Sequence, residues 1–225
     1  MPFDSLTPAE WQDFVAGRAA QLADRPPAEA LMRFELLPRG PYADQTGATV
    51  YRGDLTIDGN FTPPSQVIVI DGDVNVSGTL STVDRDNGGD GQITLVIFGD
   101  VRCGSIDHDW GSILFVTGDM IVADWVFTAR EDSAFVVGGD LRTPIFIGGD
   151  IWAAVGGAVE MEYGYGYAVG LKWCADAYGA PQILPAHGWR ELALKLGIGR
   201  SAASDTAQFL DVIEARLRET GTLNG

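Results

Sequence analysis

A Gly-Asp pair followed by an aliphatic residue recurs six times through the middle of the chain. It stands at Gly53-Asp54-Leu55, Gly72-Asp73-Val74, Gly99-Asp100-Val101, Gly118-Asp119-Met120, Gly139-Asp140-Leu141 and Gly149-Asp150-Ile151. Most intervals are close to twenty residues; one is longer and the last is half as long. A repeat of that period is the mark of a solenoid, in which each turn of chain covers the hydrophobic edge of the next. A chain built this way must turn a corner every few residues, and its 29 glycines suit that demand.

Aligning the units on their glycine exposes the phase. Two residues before it stand Tyr51, Ile70, Ile97, Val116, Val137 and Ile147. Two after it stand Leu55, Val74, Val101, Met120, Leu141 and Ile151, and four after it Ile57, Val76, Cys103, Val122, Thr143 and Ala153. Spacing by two on both sides is strand periodicity with one face buried, and the Gly-Asp pair marks the corner between two short strands. The pattern predicts a mainly β fold: a single-stranded parallel β-solenoid (β-helix) of about five to six coils, with equivalent residues stacked about 4.8 Å apart.

Three residues before each glycine lies a second apolar row, Val50, Val69, Val96, Phe115, Val136 and Phe146. Alternation sends this row outward. Six outward apolar side chains in register make a patch that a soluble chain must cover. The terminal helices are the nearest cover; a second copy, and hence a homo-oligomer, is the other. The segment Asp84–Gly91 reads as a polar loop bulging from the stack. The short interval between Gly139 and Gly149 is not a complete coil: either it marks a different corner, or the tube narrows.

The flanks read as helical. Residues 1–46 form an N-terminal helical segment, 48–170 the solenoid and 171–225 a C-terminal helical segment, together one folding unit. Thr7-Pro8-Ala9-Glu10 is a capping box with proline at the first helical position. Trp11, Phe14, Val15, Arg18, Ala19 and Leu22 then follow helical spacing, and Ala28 to Leu36 is read as a second short helix. Toward the C-terminus, Gly188 to Leu196 and a helix capped by Ser204 or Asp205 are expected, the latter with Phe209, Leu210, Ile213 and Leu217 on one side.

Net charge is −16. Such an imbalance repels a nucleic-acid backbone and an anionic membrane alike, and favours a basic protein partner or a cation. The N-terminus lacks the basic start and apolar run of a signal peptide, and no apolar run is long enough to span a membrane, so a cytoplasmic protein is expected. Two cysteines, Cys103 and Cys174, define no disulfide framework.

The stacked aspartates Asp54, Asp73, Asp100, Asp119, Asp140 and Asp150 are the first candidate site. Bare carboxylates about 5 Å apart repel by roughly 3 kcal/mol at an effective dielectric of 20, so each is expected to accept backbone N–H groups at its own corner. Docking of a basic partner or a cation along the row is the functional alternative. Tyr163-Gly-Tyr165-Gly-Tyr167 sends three rings to one face, either to stack on a ligand such as a sugar or to cap the tube over Trp152 and Trp173. Asp107-His108-Asp109 reads as a solvated loop, or as part of a metal site or general base. No catalytic residue set, metal cluster or cofactor motif is assigned.

The unit "aliphatic-aliphatic-x-Gly-Asp-aliphatic", as in Val69-Ile70-Asp71-Gly72-Asp73-Val74 and Phe115-Val116-Thr117-Gly118-Asp119-Met120, resembles bactofilin-like, polymer-forming β-helix proteins over about 120 residues of the middle. The resemblance implies a nucleotide-free scaffold whose β-helices join end to end. The long capped helices on both sides depart from that pattern and would block such joining. The expected function is therefore a non-catalytic acidic scaffold or protein-binding module. One alternative is an immunity-type or nucleic-acid-mimic protein that neutralises a basic partner. The other is a small metal- or sugar-binding enzyme built on His108 and the Tyr163–Tyr167 segment.

Overall fold

A computed structural model of the chain describes residues 3–22, 48–64, 66–83, 93–109, 111–128, 133–149, 151–166, 186–199 and 206–223. The chain is a parallel β-solenoid in which each coil contributes one strand to each of two sheets. The first coil holds β2 (Ala48–Arg52) and β3 (Leu55–Ile57), the second β4 (Val67–Asp71) and β5 (Val74–Ser81). Then come β6 (Thr94–Ile97) with β7 (Val101–Asp107), β8 (Ile113–Val116) with β9 (Met120–Phe127), and β10 (Ser133–Val137) with β11 (Leu141–Ile147). β12 (Ile151–Val155) and β13 (Val159–Tyr165) close the stack. Even-numbered strands make one sheet and the odd-numbered strands β3 to β13 the other.

The expected ladders are present and set the core. In the first sheet Tyr51, Ile70, Ile97, Val116, Val137 and Val155 pair in register. In the second, Leu55, Val74, Val101, Met120, Leu141 and Val159 do the same. All but Tyr51 are buried, and each fully buried aliphatic side chain contributes about 1.5–3 kcal/mol. The stack is held by repetition of one packing unit.

The sixth corner is not where the Gly-Asp count put it. Val155 and Val159 stand opposite Val137 and Leu141, so the corner between them, Gly157-Ala158, continues the row. Gly149 lies at the opposite corner, between β11 and β12. The reason is length: the interval from Gly139 to Gly149 holds only the seven residues of β11 and its bends, which is half a coil. At the offsets counted from the corner glycine the rows therefore continue at Val155, Val159 and Met161. Ile151 and Ala153 still face the core from β12, four and two residues before Val155, whereas Ile147 faces the outer cluster.

Phe146 is displaced for a related reason. The row Val50, Val69, Val96, Phe115 and Val136 is in register, but it continues at Ala154. Phe146 instead stacks on Val126 in the second sheet, beyond a register shift that contains Pro144. There it points inward and meets Phe135 edge-on at 5.5 Å. Proline has no N–H to give a ladder, so it sits at the irregularity and the alternation changes phase across it.

The apolar row outside the first sheet is buried along its length, and α1 (Pro8–Leu22) lies against it. Thr7 and Glu10 close the capping box in both directions. Phe14 meets Phe98 edge-on at 5.6 Å, Arg18 stands over both rings, and Arg18 pairs with Asp71. Upstream of α1, a strand missed in the sequence, β1 (Asp4–Leu6), pairs antiparallel with β2 and covers that edge of the first sheet.

The second sheet has its own outer apolar face. Trp125 and Ile145, with Phe127 and Ile147, are buried there and continue into Tyr163 and Tyr165. Two helices cover it: α2 (Trp189–Lys195) and α3 (Thr206–Thr220), the latter through Phe209, Ile213 and Leu217. Arg216 binds the carbonyls of Leu196 and Leu223 at 2.7 and 2.9 Å, tying the two helices together. The expected helix at Ala28–Leu36, the Asp84–Gly91 loop, the Ser204/Asp205 cap and Cys174 lie outside the described residues.

Candidate functional site

The aspartate row forms one continuous device, and it does not work within single corners. Asp54 Oδ1 accepts the amide N–H of Asp73 at 3.0 Å, and Asp73 Oδ1 that of Asp100 at 2.8 Å. Asp100 accepts Asp119 at 2.9 Å, and Asp119 accepts Asp140 at 2.8 Å. The last carboxylate, Asp140, takes the amide of Ala158 at 2.8 Å. Each carboxylate thus staples its own coil to the next one. The expectation of bonds within each corner is corrected: parallel stacking brings the next coil's amide within reach of each carboxylate, and the aspartate's own amide is taken by the carboxylate of the coil before it.

This geometry explains why glycine precedes each aspartate. A Cβ at Gly118 would lie 2.1 Å from Asp100 Oδ1, and one at Gly139 would lie 2.1 Å from Asp119 Oδ1. The carboxylate of one coil occupies the space that a side chain on the next coil would need. Glycine and aspartate are therefore coupled across coils. The ladder has two distinct ends: Gly53 has open space where the later corners have a carboxylate or backbone, and Ala158 carries no acceptor.

With Oδ1 engaged, Oδ2 faces outward. Arg102 reaches Asp100 Oδ2 at 3.9 Å, and Arg142 reaches Asp140 Oδ2 at 3.6 Å and Glu160 at 3.5 Å. Arg142 thereby links the corner to a shallow groove of about 610 Å³ across β9, β11 and β13. Val122, Thr143, Pro144 and Met161 line it, with Glu160 and Glu162 also contributing. Asp150 lies outside the described residues.

His108 is fully buried, not in a solvated loop. Its Nε2 donates to the Ala134 carbonyl at 2.9 Å, because a carbonyl can only accept, and its Nδ1 accepts the Thr82 hydroxyl at 2.7 Å. The neutral ring joins the second coil to the fifth. Burial lowers its pKa to about 3, the bond to Ala134 partly opposing the shift. Asp109, Ser112, Thr128 and Ser133 are buried around the same corner. Among the described residues no group of three potential ligands is placed to hold a metal ion.

The tyrosines are placed apart from His108. Tyr163 stacks on His187 at 4.9 Å, with Lys195 Nζ 4.9 Å from its ring. Tyr165 meets Phe209 at 5.1 Å and Trp189 at 6.4 Å. Both therefore bind the C-terminal helices to the sheet's outer face, three coils from His108, or about 14 Å along the stack. Tyr167 and Trp173 lie outside the described residues. Cys103 is buried in the core and its thiol pKa is pushed up to about 12 by desolvation, which makes it a filler rather than a nucleophile. No helix among the described residues is long and apolar enough to cross a membrane. In comparisons with known proteins, no family model, curated protein or solved structure matches the chain.

Proposed function

We propose that this chain acts without catalysis, as a discrete acidic protein-binding module of the cytoplasm that docks a basic partner. One observation carries the reading. The row of outward aspartate oxygens and the Glu160/Glu162 groove form one surface, joined by Arg142, on a flank that α1, α2 and α3 leave exposed. A lysine or arginine side chain lays its aliphatic stem on Val122, Pro144 and Met161 while its head meets the carboxylates. The charge of −16 speeds the encounter with such a partner.

The resemblance of the repeat to bactofilin-like proteins supplies the scaffold side of the reading. A discrete module is favoured over a filament by the chain's own pairing at both ends: β1 on β2 at one, His187 beside β13 at the other. Sedimentation velocity and affinity capture test it together. A single species over a wide concentration range, with a captured protein released at high salt, is the expected result. The variants Asp119→Asn and Asp140→Asn keep the Oδ1 acceptor and remove the charge, and they should capture less. Filaments, or capture indifferent to salt and charge, would overturn the reading.

A further inference from the structure

The repeat states what the outer edge of the first coil lacks. In every later coil the residue after the corner glycine makes two bonds to the coil before it, donating one and accepting the other. Asp73 gives its N–H to Asp54 Oδ1, and its carbonyl accepts the N–H of Leu55 at 2.8 Å. The same pair of bonds recurs at Asp100, Asp119, Asp140 and Ala158. By that register the N–H and C=O of Asp54 point away from the stack, as do those of Thr56 under parallel-strand alternation. Among the described residues no strand pairs with that side of β3. Among the described residues the Asp54 carbonyl meets just the Tyr51 hydroxyl, at 3.4 Å. The space over Gly53, filled at Gly72, Gly99, Gly118, Gly139 and Gly157, is open.

We infer that this edge is a strand-docking site, filled by an extended segment of another protein that adds parallel to β3 as one more coil. The segment carries an aspartate or asparagine whose side-chain oxygen takes the Asp54 N–H, seated over Gly53. This is strand addition to an open sheet edge, with affinity from main-chain bonds and selectivity from one hooked side chain. The inference rests on the protein-binding reading and names where one partner element sits.

A second copy of this chain does not fit. Its last corner offers Ala158, which has no oxygen to give, and the outer side of its β13 is partly taken by His187. There Gly164 donates to the His187 carbonyl at 3.1 Å, and His187 donates to that of Glu162 at 2.8 Å. The first sheet's edge beside the site is closed by β1, so the docked segment is short and confined to the second sheet.

A peptide copying residues 53–57 (GDLTI) is a suitable probe, since within the chain Asp54 and Leu55 already make these bonds to Asp73. Its counterpart with Asp54→Ala lacks the hook. Amide hydrogen exchange of the isotope-labelled full chain should show Thr56 and Asp54 slowed about ten-fold by the first peptide and less by the second. A chain with Thr56→Pro, which loses an outward N–H and keeps its ladder bonds, should show no such effect on Asp54; its unchanged circular dichroism verifies the fold. The effect should persist at high salt. Loss of salt-sensitive capture with retained peptide protection would sink the basic-partner reading alone. Three results overturn the inference itself: no slowing at saturating peptide, slow exchange of Thr56 before any peptide is added, or slowing that follows chain concentration without peptide.

Discussion

Asp119 closes its hydrogen bond on the amide of Asp140, one coil further along, and in doing so occupies the space above Gly139. Replacing Asp119 by alanine should cost about 1–2 kcal/mol, the value of a charge-assisted bond lost at a partly exposed corner. Asp119→Asn should cost less than half of that, because the carboxamide oxygen still accepts. Urea denaturation of the three proteins checks both.

Gly139→Ala places a methyl group where the carboxylate already lies, and it should destabilise by roughly 2–4 kcal/mol. The loss should shrink by about 1 kcal/mol in the Asp119→Ala background, and a double-mutant cycle reads that coupling. At Gly53 a Cβ meets open space, so Gly53→Ala should cost only the left-handed backbone term at φ 102°, about 1 kcal/mol. Equal losses at the two glycines would show that the carboxylate is not the cause.

Stability should fall in mild acid through His108. The folded ring stays neutral down to about pH 3, whereas the unfolded ring takes a proton near 6.5. Below 6.5 the unfolded state therefore binds a proton that the fold refuses. Its contribution is full above that pH and is lost progressively between 6.5 and 3, by at most roughly 5 kcal/mol. Replacing His108 by glutamine should flatten that limb of the stability–pH curve, as measured by denaturation at a series of pH values.

Truncating Phe14 to alanine should loosen α1 by about 3 kcal/mol and expose Val69, Val96 and Phe115. Binding of a hydrophobic dye, with the solenoid's β signal retained, is the expected outcome. A cooperative loss of both would mean that the stack cannot stand without its helix.

The rows of the solenoid were legible because strand alternation repeats at a fixed offset from each glycine, so Val74, Val101 and Met120 identify one another. Phe146 was not, because the register shift around Pro144 moves it across the sheet while leaving its local sequence ordinary. The row Val50, Val69, Val96, Phe115 and Val136 is legible as an outer apolar face by that same alternation, and it is buried. The matching face at Trp125 and Ile145 went unseen, since it lies beyond the irregular stretch where β7 and β11 are seven residues long and β9 eight. His108 looked solvated among aspartates because its partners, Thr82 and Ala134, each lie 26 residues away. The aspartate staple was expected at the wrong range for the same reason: one sequence displays a corner, and only stacking reveals which amide it serves.

The coupling of each aspartate to the glycine one coil later makes the joint, rather than the coil, the unit in which this chain could be lengthened. A segment cut between Asp119 and Gly139 and duplicated in place would bring a complete joint with it and should lengthen the stack from within. The same segment appended after Ala158 would meet a corner with no oxygen to offer. The solenoid can grow in its middle and is finished at its end.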